Sequence, residues 1–124
     1  MKRISQFGMV ALLLCFLPTL SVASESAVDR EKLLKDSGVY ATFAVFKMGE
    51  HWWQVDHEAR VKAASEVKKV FEKHADKLVV DTHLLRGLSE RADFLVRIHS
   101  KEMVHNQNFL IDLMGTTMGM DLKN

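Results

Sequence analysis

The sequence is poor in cysteine and proline. Its 124 residues contain one of each, Cys15 and Pro18, and both lie in an apolar run near the N-terminus, residues 7–20. The rest of the chain therefore has no residue for a disulfide, a thiolate metal site or a cysteine nucleophile. The sequence also lacks a glycine-rich phosphate loop, a nucleophile elbow and a catalytic triad.

An excess of charge of either sign is also missing. The chain carries 17 basic and 16 acidic residues, and no basic run interrupts their mixture. Nucleic-acid binding depends on clustered lysine and arginine, so the sequence predicts no nucleic-acid partner. A nearly neutral surface suits a chain that associates with another protein.

The N-terminal residues have the pattern of a secretory signal peptide. Lys2 and Arg3 precede the apolar run, and the small-residue sequence Ser21-Val22-Ala23 follows it. The run is shorter than the roughly 20 apolar residues that a spanning helix needs. We therefore predict a signal peptide over residues 1–23 and a periplasmic or otherwise exported product, with no membrane association after cleavage. A retained N-terminal anchor is the alternative.

The remaining chain shows the element order β-α-β-β-α. β-branched and aromatic residues predict strands over residues 39–46, 78–85 and 92–99, with a hairpin connection over residues 87–91. Asp56 is the expected N-cap of the first helix, and Ser100 that of the second, which Gly115 ends. The expected inward stripe of the first helix is Val61, Ala64, Val67, Val70, Phe71 and His74. That of the second is Met103, Val104, Gln107, Leu110, Ile111 and Met114.

This order is typical of an α+β domain with a ferredoxin-like split βαβ topology. Residues 116–124 are not strand-like, so the final strand is expected to be short or missing, which leaves a sheet edge that invites pairing with another chain. We predict a lead-in segment over residues 24–37 and one domain over residues 38–124.

One face of the predicted sheet is unusually polar. Alternation places four ionisable side chains on the face away from the helices: Asp81, His83, Arg97 and His99. An Asp and a His two residues apart can orient each other, and a second His would complete a metal or acid–base site. The favoured interpretation is a polar layer paired at an interface between two sheets, as in the dimeric α+β barrels.

The sequence resembles the chlorite dismutase family over nearly all of the chain beyond residue 27. The resemblance is distributed and rests on residues 28–34, 38–43, 63–67, 72–74, 79–81, 86–87, 92–99 and 109–112. The longest of these stretches reads Ala92-Asp93-Phe94-Leu95-Val96-Arg97-Ile98-His99.

The members of the family that the sequence resembles are haem b enzymes, which convert chlorite to chloride and dioxygen. Each of their subunits contains two ferredoxin-like repeats. The haem, its proximal His and its distal Arg belong to the second repeat, whereas this chain is similar to the first, haem-free repeat. By analogy between the repeats, His74 lies at the helix end that carries the haem axial ligand. The next strand has no Arg in its middle, and Arg86 at its far end is the remaining candidate for the catalytic, anion-holding group. Trp52 and Trp53 resemble a feature of both repeats. In the first interpretation, one ring closes the core and the other lies at the surface. In the second, the pair forms a hydrophobic lip over a ligand pocket.

Three hypotheses follow. The first is an exported single-repeat domain that is non-catalytic by itself and forms a homo-oligomer. The second is a haem b-dependent oxidoreductase acting on chlorite or a peroxide, with His74 as the axial ligand and Arg86 holding the anion. The third is a truncated relic or separate half that needs a second, haem-bearing chlorite-dismutase-like chain.

Overall fold

The computed structural model describes residues 27–123, without the side chain of Lys123. The predicted signal peptide lies outside the described residues. The elements are α1 (Arg30–Lys35), β1 (Tyr40–Met48), α2 (Glu50–Gln54), α3 (His57–His74), β2 (Leu78–Leu84), β3 (Phe94–Ser100), α4 (Met103–Met114), a 3₁₀ turn (Gly119–Asp121) and β4 (Leu122–Lys123).

The strands form one antiparallel sheet in the order β2-β3-β1-β4. With β1 central and β4 beside it, this is the split βαβ topology, which confirms the predicted fold class. The final strand is short, as expected, because only Leu122 and Lys123 pair with β1. None of the described helices is both long and apolar enough to cross a membrane.

The hydrophobic core lies between one face of the sheet and the helices α3 and α4. Alternate residues of β1 and β3 point into it, and the fully buried rings and aliphatic chains include Phe46, Val96, Ile98 and Leu78. Phe109 of α4 lies among them, and the centres of the Phe109 and Phe71 rings are 5.2 Å apart in an edge-to-face arrangement. Helices α3 and α4 cover only this face of the sheet.

Helix α3 begins where the sequence predicts, but its inward stripe differs. The Asp56 carboxylate caps the helix by accepting a hydrogen bond from the backbone N–H of Ala59 at 2.9 Å. Val61 and Ala64 are exposed, so their placement in the stripe was wrong, whereas Ala63 is buried. A small side chain at Ala63 lets the helix lie close to its neighbours, and helical periodicity cannot distinguish it from Ala64.

Helix α4 buries a different face from the predicted one. Met103, Val104, Gln107, Ile111 and Met114 are exposed, and of the predicted stripe only Leu110 packs against the core. Asn106, Phe109 and Leu113 are buried instead. The physical reason is that α4 is apolar on both sides, so tertiary packing selects the face: Phe109 fills the space beneath the sheet, and Asn106 is retained inside because its amide donates to Tyr40 O and Thr42 Oγ1.

The predicted capping role of Ser100 was also wrong. Ser100 is the buried last residue of β3, and its hydroxyl donates to the backbone carbonyl of Glu102 at 2.6 Å. Glu102 itself occupies the N-cap position without a side-chain capping bond. The strand therefore continues one residue further than expected before the chain turns into α4.

The segment after α4 is firmly attached to the domain. The Thr116 hydroxyl donates to Leu113 O at 2.7 Å and accepts from Gly119 N at 2.9 Å. The backbone N–H of Gly49 donates to Asp121 O at 2.7 Å, which joins the end of β1 to the 3₁₀ turn. Met118 packs against the core.

Candidate functional site

The face of the sheet opposite α3 and α4 carries all four residues of the predicted polar cluster. Strand register places Val79, His99 and Ala41 in one row across β2, β3 and β1. The next row is Asp81, Arg97 and Phe43, and the third is His83, Leu95 and Val45. The register therefore puts the four side chains on one face, and the contacts within it decide what the face can do.

Asp81 is the centre of a three-charge group. Its carboxylate accepts two hydrogen bonds from Arg97, at 2.8 and 3.2 Å, and two from Arg30 of α1, at 2.6 and 2.9 Å. The hydrogen bond from Arg30 is the largest of the effects that lower the pKa of Asp81 to about 2. Arg30 lies 51 positions from Asp81 in the chain. Local periodicity gives no signal for such a contact, so Arg30 was not among the predicted site residues.

Helix α1 therefore lies over one end of this face. Leu33 is only 4% exposed, and Val79, which shares the first row with His99, is buried as well. The ion pair between Lys101 and Asp36 fixes the end of α1, while the N–H of Ala27 donates to Ala75 O at 3.0 Å. Residues of the predicted lead-in segment therefore contact the sheet and cover part of this face.

The two histidines of the cluster do not join Asp81. His83 is exposed across from Leu95, whereas the Nδ1 atom of His99 is buried and has no hydrogen-bond partner among the described residues. Burial lowers the pKa of His99, and the positive charge of Arg97 adds to that effect. No group of three or more His, Cys, Asp or Glu side chains suited to a metal ion occurs in residues 27–123. Of the four predicted residues, Asp81 and Arg97 are therefore paired, and their partners lie within the chain.

The other half of the face is apolar and open. Phe43 and Val45 of β1 are 61% and 45% exposed, beside the half-buried Leu95. Their alternation with buried Ala44 and Phe46 is visible in the sequence, where both faces of the strand are apolar. Apolar residues on both faces of a strand do not show which face is covered, so Phe43 and Val45 were not among the predicted site residues.

His74 is buried at the end of α3 and is held on two sides. Its Nε2 lies 2.7 Å from Oδ2 of Asp112, and its ring meets Phe109 edge-on with 5.7 Å between ring centres. Lys73 donates to the same Asp112 oxygen at 2.7 Å. Hydrogen bonds from Lys73, and then from His74, lower the pKa of Asp112. The arrangement joins α3 to α4.

Arg86 stacks on Trp53, beyond the end of β2 that is far from His74. Its guanidinium carbon lies 3.6 Å from the centre of the Trp53 ring, and Trp53 is partly exposed. Trp52 packs against the core. The tryptophans thus divide as the first interpretation predicts, with one ring closing the core and one at the surface.

The positions of His74 and Arg86 do not fit a haem held between them. The two residues lie before and after β2, whose seven residues span about 20 Å. The Nε2 atom of His74, which would be needed for an axial bond, is engaged by Asp112 in the α3–α4 contact.

Comparison with known proteins finds relatives by sequence and by structure. No known protein-family model matches the sequence. The chain is 38% identical over 98 residues to the chlorite dismutase of Ideonella dechloratans, which covers 79% of this chain and 34% of that protein. It therefore spans about a third of the length of this curated relative.

Solved structures of the chlorite dismutase of Candidatus Nitrospira defluvii are similar in both sequence and fold. The complex with imidazole is 46% identical and superimposes with a TM-score of 0.75, covering 77% of this chain and 40% of that one. A mutant in complex with cyanide has the same identity and coverage, with a TM-score of 0.74. Since these likenesses extend over most of the chain, with the same α+β topology, the protein belongs to the chlorite dismutase family.

Proposed function

We propose that this protein is an exported, non-catalytic domain, similar to the haem-free first repeat of its family, which associates with a second copy of itself. The observation that carries the proposal is the open apolar half of the sheet, where Phe43 and Val45 are largely exposed. Exposed apolar surface of this kind marks interaction sites in proteins. A second sheet packed on it would complete a two-sheet arrangement.

The distribution of charge on the face supports an apolar contact. Asp81 is already neutralised by Arg97 and Arg30, so a partner need not supply a counter-charge for it. Leu95 continues the apolar surface from Phe43 and Val45 onto β3. Because α1 occupies the other end, the partner sheet would be offset toward Phe43.

The direct test is to place a charged side chain in the apolar surface, which should prevent the contact. We expect Val45→Lys to lower the sedimentation coefficient from that of a dimer to that of a monomer at micromolar concentration. Val61→Lys is the matched control, because Val61 has a comparable exposure, 55% against 45%, but lies on α3. A wild-type protein that sediments as a monomer, or a dimer that both substitutions leave intact, would contradict the proposal.

The alternative is the haem b oxidoreductase, alone or with a haem-bearing partner chain. The family likeness favours it, whereas the engagement of His74 by Asp112 does not. Titration of the purified protein with haemin separates the two functions. We expect no Soret band that depends on His74, and a haem spectrum that is lost in His74→Ala but kept in His51→Ala would establish the alternative.

A further inference from the structure

The outer edge of β1 is open along most of the strand. On one side β1 pairs with β3 from Tyr40 to Phe46. On the other side β4 pairs only with Lys47 and Met48, so residues 40–46 have no neighbouring strand among the described residues. Such an edge presents backbone donors and acceptors that are suited to another strand.

The direction of these backbone groups follows from two hydrogen bonds. Gly49 N donates to Asp121 O, on the β4 side, and Phe46 O accepts from Asp93 N, on the β3 side. Since N–H and C=O groups alternate in direction along a strand, Ala41, Phe43 and Val45 turn theirs to the open edge.

Nothing in this stretch protects the edge. Natural edge strands carry charges, prolines or bulges that prevent pairing with another chain. Residues 40–46 read Tyr-Ala-Thr-Phe-Ala-Val-Phe, without any of these features. The first charged residue after them is Lys47, which already pairs with β4. Ala41, Phe43 and Val45 are all exposed.

The open stretch is symmetric about Phe43. It ends at β4 on one side and, on the other, at the turn around Gly38, whose φ of 80° breaks the extended backbone. An antiparallel copy of the same strand fits this gap in one register that uses all three outward-facing residues: Ala41 opposite Val45, Phe43 opposite Phe43, and Val45 opposite Ala41. No charged side chains face each other in this register.

We infer that β1 pairs with β1 of a second copy of this chain, antiparallel and centred on Phe43, to form one continuous sheet across two molecules. The inference rests on the proposed self-association and adds a second contact to it, made by the backbone at the edge instead of by side chains on the open face. The short strand β4 sets the register, because it blocks pairing beyond Phe46.

Disulfide trapping tests the register. Residues in a hydrogen-bonded antiparallel pair have Cα atoms about 5.5 Å apart, within the range of about 4.4–6.8 Å that a disulfide spans. In full-length protein carrying Cys15→Ser, we expect an equimolar mixture of Ala41→Cys and Val45→Cys variants to form crosslinked dimers several-fold more than either variant alone. Two copies of position 41 would be about 13 Å apart.

Two further variants complete the experiment. Phe43→Cys should crosslink by itself, whereas the mixture of Ala41→Cys with Val61→Cys should not. If the protein is a dimer in sedimentation but the Ala41–Val45 mixture gives no more crosslink than the single variants, the edge pairing is refuted and the proposed self-association stands. A monomeric protein refutes both.

Discussion

Asp81 is the residue on which the polar half of the sheet depends. Two guanidinium groups hold its carboxylate, one from the adjacent strand and one from α1. Because its pKa is about 2 in the folded protein, below the ordinary value of 3.8, the unfolded chain takes up the proton first as the pH falls. The stabilisation is therefore complete above about pH 4 and is lost toward about pH 2.

We expect Asp81→Asn to remove this part of the acid dependence. The free energy of unfolding at neutral pH should fall by about 1–2 kcal/mol, a value reduced for the partial exposure of Arg30. Urea unfolding from about pH 7 to pH 2 measures it, with Asp76→Asn at an exposed position as the control. If the free energy of unfolding fell equally steeply with pH in the wild type and in Asp81→Asn between about pH 4 and pH 2, the assignment would be wrong.

His74 and Asp112 give a second prediction at the residue scale. Asp112→Ala would leave the buried ring of His74 without its 2.7 Å partner, at a cost of about 1–3 kcal/mol. Lys73→Ala removes the exposed partner of the same carboxylate and should cost less than about 1 kcal/mol. Chemical denaturation compares them, and a larger loss for Lys73→Ala would show that the ion pair, not the histidine, joins α3 to α4.

At the scale of elements, the 3₁₀ turn packs closely against α4. A Cβ at Gly119 would overlap the carbonyl oxygen of Leu113, whereas a Cβ at Gly115 would come no closer than 3.4 Å to any atom. We expect Gly119→Ala to destabilise the domain by about 1–3 kcal/mol, since overpacking displaces backbone. Gly115→Ala should have little effect.

Thermal unfolding followed by circular dichroism distinguishes the two glycine variants. Since Gly49 and β4 are attached through the same turn, a loosened turn would also free the end of the β1 edge. An unchanged melting temperature in Gly119→Ala would mean that the turn moves freely away from Leu113, and that β4 does not fix the register proposed for β1.

At the scale of the whole molecule, self-association links stability to concentration. A protein that binds a second copy only when folded gains stability as its concentration rises. We expect the melting temperature of the wild type to increase between micromolar and higher concentrations, and that of Val45→Lys to stay constant. Differential scanning calorimetry over a dilution series measures both. A wild-type melting temperature independent of concentration would argue against the dimer.

The local pattern of the sequence is sufficient for three of the strands, the two long helices and their order. Asp56 marks the start of α3, the β-branched runs mark three strands, and Gly115 marks the end of α4, because caps, propensity and turn residues act within a few positions. Alternation also places Asp81 and Arg97 on one face of the sheet. These features need no knowledge of what lies across the domain.

Which apolar surfaces are covered depends on the packing of distant parts of the chain. Helix α4 has two apolar sides, and the size of Phe109 with the hydrogen bonds of Asn106 selects the buried one. Arg30 reaches Asp81 from 51 positions away, and His74 is matched with Asp112 across two helices. Burial and ion pairing depend on the distance in space between parts of the chain, which no short-range periodicity contains.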